Sequence, residues 1–259
     1  IGGIDLSAQS MANLITVVAS VYLASMGAWV ALLCVIVGFG LGMISGYVTT
    51  RLLVPSFIST LAVGGVAFSL AQYLSGQRAL NMDAMQRDAV FGWMIGKTGM
   101  IPNELFIAAG LLAITLFIER RTTLGRALKA VGAGEPAAAA SGLNVARYQI
   151  LAFAISGALA AIAGLLFSVK LSGGAPTIAN GFLLPAIVAV LVGGTPLTGG
   201  VGGVLNTAIG TLIVAVIRAS SVGPFVPVAV SHAGWLALAL RARLGERVPK
   251  LVLLDWMVG

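Results

Sequence analysis

GRALKAVGAGEPAAAASGLNVARYQILAF, residues 125–153, is the stretch on which the reading of this chain turns. It is basic, rich in small residues and only modestly hydrophobic, and it lies between two long apolar runs. Such a stretch cannot face lipid as a span. It reads as a connection between two membrane helices, and Arg126, Lys129 and Arg147 favour the cytoplasmic side for it. Inside it, Pro136 and a row of alanines predict a short helix, with Gly134 and Glu135 at its N-terminus and Gly142 ending it. A helix so smooth suits insertion into a groove on a partner; the same pattern also fits an ordinary loop helix.

Outward from this connection the chain is greasy. Hydrophobic residues make up 59% of its 259 residues and charged residues 9%, with a mean hydropathy of +1.04. A soluble domain carries roughly a quarter charged residues, so too few polar groups remain here to coat a water-facing surface. Runs long enough to cross a bilayer, about 20 residues, are Ala8–Met26, Trp29–Thr50, Phe57–Ser75, Asn103–Ile118 and Gln149–Val169. A long apolar stretch follows from Phe182 to Ile217, broken by GGTPLTGGVGG at 193–203, and a weaker run covers Val222–Leu240. Glycines and a proline in mid-run predict two half-helices or a re-entrant segment. The expected fold is all-α: a polytopic transmembrane helical bundle with broken or re-entrant helices, one domain over residues 1–259. Ile1 stands inside a motif-like string, so an N-terminally incomplete chain is expected, with an atypical tail at 218–259.

The charges set an orientation. Arg51, and the group Arg120, Arg121, Arg126, Lys129 and Arg147, fall on one side if Phe57–Ser75 and Asn103–Ile118 run out and back. The loop between them, Gly76–Pro102, mixes Arg78, Asp83, Arg87, Asp88 and Lys97, with Phe91 and Trp93 placed to meet the opposite interface. The formal net charge of +7 reads as this loop asymmetry together with attraction to anionic lipid, not as a nucleic-acid surface, since basic residues interleaved with aromatics are missing.

Chemistry has little to work with. Cys34 lies in an apolar run and cannot form a disulfide within the chain; His232 is the one histidine, so neither a metal cluster nor a catalytic triad is in view. The chain has no GxxxxGK[ST] phosphate loop. Asp5, in GGIDLS at 2–7, stands next to the first apolar run, and a carboxylate near hydrocarbon requires a partner or a wet cavity. Asp5 or Ser7 reads equally as an N-cap of the run that follows and as a lining of a polar-solute path. GGIDLS and GGTPLTGG at 193–200 are two glycine-interrupted strings, such as mark a path at the bilayer midplane or simple close packing of helices.

Taken in order, GGIDLS at 2–7, PSFISTLAVGGVAFSLA from Pro55, GRALKAVGAGEPAAAASGLNV at 125–145 and GGTPLTGGVGGVLNTAIGTLI at 193–213 resemble the membrane permease subunit of ribose-type bacterial ABC importers, which also serve xylose, galactose and autoinducer-2-like solutes. The chain departs from that pattern at Gly134, Ala139, Val201 and Asn206, and the resemblance fades after Ile217. The resemblance implies a multi-pass protein of the bacterial inner membrane with no catalytic residues, metal or cofactor of its own. ATP and magnesium would sit on a partner ABC ATPase subunit. A periplasmic solute-binding protein and a second permease chain, identical or not, complete the expected partners, with lipid around them. It implies motor coupling through Gly132, Glu135, Ala138 and Gly142, and a solute pathway at Asp5, Ser7, Gly193, Gly194 and Thr195. Three other readings compete: a branched-chain amino acid permease, an ion-driven secondary transporter, and a membrane enzyme or structural bundle. Apart from Asp5 the clear spans hold almost no ionisable groups of the kind ion coupling requires.

Overall fold

The computed structural model describes residues 1–196, 199–219, 228–230 and 252–254. Contacts divide it into two units, Ile1–Leu183 and Leu184–Gly259.

In the first unit, the opening residues have no regular structure, and α1 (Ala8–Met26) then begins where the apolar run begins. Gly27, in a backbone conformation with φ +54, turns the chain into α2 (Trp29–Arg51). A short link leads to α3 (Ser56–Ser75), which ends on Gly76 in the left-handed region. After the connections described below, α8 (Val145–Leu171) completes the set. These four helices are long and apolar enough to cross a membrane. Their interior holds Leu14, Ile15, Val17, Val30, Cys34, Ala67, Ala71, Ala161 and Val169. Large side chains such as Trp29, Ile36, Leu61 and Phe68 stay exposed on the outside, the inversion a lipid solvent permits.

Helices α2 and α8 cross backbone to backbone. Gly38, Gly42 and Gly46 recur every fourth residue on one face of α2. A Cβ on any of them would fall well inside 3.0 Å of Gly157, Phe153 or Ile150 on α8. Small residues let the axes close until dispersion contacts replace the missing hydrophobic drive between helices in lipid.

The loop expected at Gly76–Pro102 contains a helix, α4 (Ala84–Ile95), capped by Asp83, whose Oδ1 accepts the Met85 N–H at 3.1 Å. Charges hid it: Arg87 and Asp88 interrupt the pattern but pair with each other at 2.6 Å, while Phe91 and Met94, one turn apart, are buried in the core. Trp93 is exposed, as an interfacial residue would be, and Phe91 is not. Two pairs of two-residue strands tie this region down. β1 (Leu80–Asn81) pairs antiparallel with β4 (Gly173–Gly174), just past α8, and β2 (Lys97–Thr98) with β3 (Ile101–Pro102).

α5 runs Asn103–Arg121 and buries no residue. It was expected to span. Glu104 at one end and Glu119, Arg120 and Arg121 at the other leave an apolar stretch of about 21 Å at the helical rise, so in a crossing these charges reach the two headgroup regions.

In the second unit the Phe182–Ile217 stretch is divided as expected, into α9 (Leu183–Val192) and α10 (Val204–Ala219) around the glycine-rich string. A Cβ at Gly210 would strike the Ala189 carbonyl, and one at Gly193 the Asn206 carbonyl, so these half-helices also touch through backbone. β5 (Val228–Val230) pairs parallel with β6 (Val252–Leu254). The rest of the run Val222–Leu240, His232 and most of the tail lie outside the described residues.

Candidate functional site: the helical connection and the broken-helix segments

The connection between α5 and α8 is more ordered than a loop. α6 (Thr123–Ala133) precedes α7 (Glu135–Ala140), and α8 starts at Val145, four residues before the expected Gln149. The Thr122 hydroxyl ends one helix and begins the next: it donates to the Ile118 carbonyl at 2.6 Å and accepts the Gly125 N–H at 3.2 Å. Gly125 is required there, because a Cβ would collide with the Ile118 and Glu119 carbonyls. α6 buries Ala127 and Val131 and exposes Arg126 and Lys129, and Lys129 reaches Glu119 at 3.0 Å. That ion pair is largely exposed on the lysine side and contributes at most about 1 kcal/mol.

α7 is the short helix expected after Gly134, with Pro136 in its first turn. Gly142, at φ +82, ends it, and the Leu143 N–H returns to the Ala138 carbonyl at 3.1 Å. Asn144 then caps α8 by accepting the Arg147 N–H at 3.1 Å. The four residues singled out for motor contact do not share one face. Glu135 and Gly142 are exposed and Gly132 is half-buried. Ala138 is 4% exposed, turned toward its own chain. The outward surface is Pro136, Ala137, Ala139 and Ala140. Glu135 accepts a hydrogen bond from Gln149 Nε2 at 2.5 Å, fastening α7 to the first turns of α8. Gln149 was legible only as the polar start of a span.

The GGIDLS string is bonded to both α3 and α8. The Ile4 and Leu6 N–H groups donate to Ser56 Oγ and Thr60 Oγ1, each at 3.1 Å. Gly3 sits against the Phe153 ring. Asp5 is partly buried and fully engaged: Oδ1 accepts from the Ser7 N–H at 2.9 Å and the Ser7 hydroxyl at 2.5 Å, and Oδ2 accepts from Ser156 Oγ at 2.6 Å. Asp5 and Ser7 are therefore brought together, but not as an N-cap of the expected kind. Ser7 already has right-handed helical angles and caps no backbone N–H; its hydroxyl is spent on Asp5. Ser156, silent in the sequence, is the third member. Ser156 lies about 16 Å along α8 from Val145, so α1 begins deep in the bundle and not at its edge.

In the second unit Gly193 and Gly194 end α9, and Gly194 has φ +81. The Thr195 N–H bonds the Val190 carbonyl at 3.2 Å, its hydroxyl is buried without a hydrogen bond, and it fills the space a Cβ on Gly202 would need.

Four long apolar helices, one non-helical string ahead of α1, a second between α9 and α10, and a short helical connection before α8 are the architecture of a polytopic membrane protein. The chain belongs to the family described as "Branched-chain amino acid transport system / permease component", matched over residues 1–241; the match runs past Ile217, where the motifs fade. It is 36% identical over 164 residues to the probable ABC transporter permease protein YphD of Escherichia coli, covering 63% of this chain and 48% of that protein. It is 32% identical over 214 residues to the ribose import permease protein RbsC of Escherichia coli, covering 82% and 67%. It is 42% identical over 115 residues to the xylose transport system permease protein XylH of Haemophilus influenzae, covering 44% and 31%. The chain thus spans between about a third and two thirds of these relatives' lengths. No solved structure matches it.

Proposed function

We propose that this chain is the membrane-spanning permease subunit of an ABC importer in the bacterial inner membrane, passing a monosaccharide or similar small polar solute. The likeness to a ribose import permease over 82% of the chain carries this reading. The solvent-facing surface of α7 supports it further. A separate ATPase subunit, holding ATP and magnesium, docks on α6–α7; a periplasmic binding protein delivers the solute; a second permease chain completes the path. Coupling runs through Gly132, Glu135 and Gly142, with Ala138 shaping the knob from beneath. Asp5, Ser7, Gly193, Gly194 and Thr195 belong to the solute pathway in this reading. For work to be transmitted, the motor's groove must bind the knob more tightly in one nucleotide state than in the other.

The test is reconstitution of the full-length protein with its ATPase and binding protein in liposomes, followed by uptake of labelled ribose, xylose and galactose with leucine as comparison. ATP-dependent uptake of a sugar is expected. Uptake of leucine alone would return the protein to the amino acid branch of its family, and uptake without ATP would make it a secondary transporter.

A further inference from the structure

α1 carries Gln9, Asn13, Thr16 and Ser20 at helical spacing, so the four form one polar stripe. The chain leaving α8 at Ser172 runs along this stripe, first as β4 and then as irregular backbone until α9 starts at Leu183. Gly174 lies against the Thr16 carbonyl and Ser20, and the Ala175 N–H donates to Thr16 Oγ1 at 3.3 Å. The Ala179 N–H donates to Asn13 Oδ1 at 2.7 Å. Asn180 Oδ1 accepts from both Asn13 Nδ2 at 3.0 Å and Gln9 Nε2 at 3.2 Å. Gln9 Oε1 in turn accepts from the N–H groups of Gly181 and Leu183.

From Ser20 to Gln9 the segment covers about 16 Å of α1, half of a ~30 Å hydrocarbon core. Irregular backbone persists at such depth only where protein buries it or where it borders water. Asn13 and Ala179 are buried, whereas Thr177, Asn180 and Gly181 are exposed. The Asn180 oxygen is already shared by two amides, which fixes the side chain, and the residue is exposed. An exposed amide opposite lipid would be costly; opposite a wet path it is a hydrogen-bond donor in a fixed place.

We infer that Asn180, positioned by Gln9 and Asn13, lines the solute path and donates its amide N–H groups to a hydroxyl-rich, uncharged solute. The inference rests on the importer reading above. Neither α1 nor residues 173–183 contain a charged side chain, so this surface has nothing to neutralise the carboxylate or ammonium of an amino acid. A polyol asks only for neutral donors and acceptors.

Asn180→Asp separates a solute contact from a mere loop anchor. It keeps an oxygen for Gln9 and Asn13 and removes the NH2. In the reconstituted full-length transporter it is expected to keep wild-type abundance and lose about tenfold in uptake of the sugar that the wild type imports, the worth of one hydrogen bond to the solute. Wild-type uptake by Asn180→Asp, with a loss confined to Asn180→Leu, would leave Asn180 an anchor and overturn the site. A second measurement needs no transport. The thiol of Thr177→Cys should react with a charged, water-soluble thiosulfonate, and the same sugar should slow the reaction when Asn180 is intact but not in Asn180→Asp. An unreactive thiol, or no protection, would also overturn the site. If the wild type imports none of ribose, xylose and galactose, the importer reading fails and takes this inference with it, an outcome distinct from normal uptake by Asn180→Asp.

Discussion

Gly38 and Gly157 face each other across α2 and α8 so closely that a Cβ on either would fall well inside 3.0 Å of the other's carbonyl oxygen. Neither helix can retreat locally, because Gly42 against Phe153 and Gly46 against Ile150 hold the same separation further along. Gly157→Ala should therefore cost about 1–3 kcal/mol through overpacking, and Gly157→Leu should block assembly of the helix pair. Thermal unfolding of the detergent-solubilised protein measures both. Gly40→Ala is the control: nothing lies within 4 Å of a Cβ there, and no destabilisation is expected.

Asp5 holds the N-terminal string to α8 through Ser156 and to the start of α1 through Ser7. Asp5→Ala should cost about 1.5–3 kcal/mol, the range for hydrogen bonds to a charged acceptor. Asp5→Asn should cost less, since its oxygen still accepts from Ser7 and its amide can donate to Ser156. Unfolding midpoints of the two variants check this ordering; equal losses would mean that the charge, and not the hydrogen bonding, holds the string.

Ala138 and Ala139 are neighbours with opposite surroundings, one 4% exposed and the other open. A tryptophan at position 138 must lift α7 from its own chain, so Ala138→Trp should lower the melting temperature and lose motor-driven uptake together. Ala139→Trp should leave folding intact and still abolish solute-stimulated ATPase activity, because it spoils only the outward face. Normal stimulation in Ala139→Trp would place the motor elsewhere.

Ala133, exposed at the end of α6, reports which side the knob occupies. In intact cells Ala133→Cys should resist an impermeant thiol reagent and become reactive in inverted vesicles. Ready labelling from outside would reverse the orientation inferred from Arg126, Lys129 and Arg147.

Helices whose environment is uniform were legible in the sequence. α1 starts and stops where its apolar run does, and α9 and α10 separate at the string rich in glycine. α7 was readable because proline, alanine and glycine each mark a different part of a short helix. α4 was not, because Arg87 and Asp88 break its apolar pattern while pairing with each other, and only the burial of Phe91 and Met94 explains it. The engagement of Asp5 with Ser156 depends on a helix 151 residues away, which local pattern cannot reach. Gln9, Asn13 and Asn180 escaped notice for the same reason: two are isolated amides in a greasy run and the third sits in a turn, and only the path of residues 172–183 joins them.

The bare crossing of α2 and α8 also limits how this protein can drift. Where main chain meets main chain, no partner residue can shrink to admit a larger one, so Gly38, Gly42 and Gly157 have no compensating change available within the pair. The outer faces of the same helices carry exposed apolar side chains such as Ile36 and Leu159 and accept almost any greasy side chain. Tolerance to substitution should therefore alternate around each of these two helices, with a narrow rigid seam on one side and a permissive coat on the other.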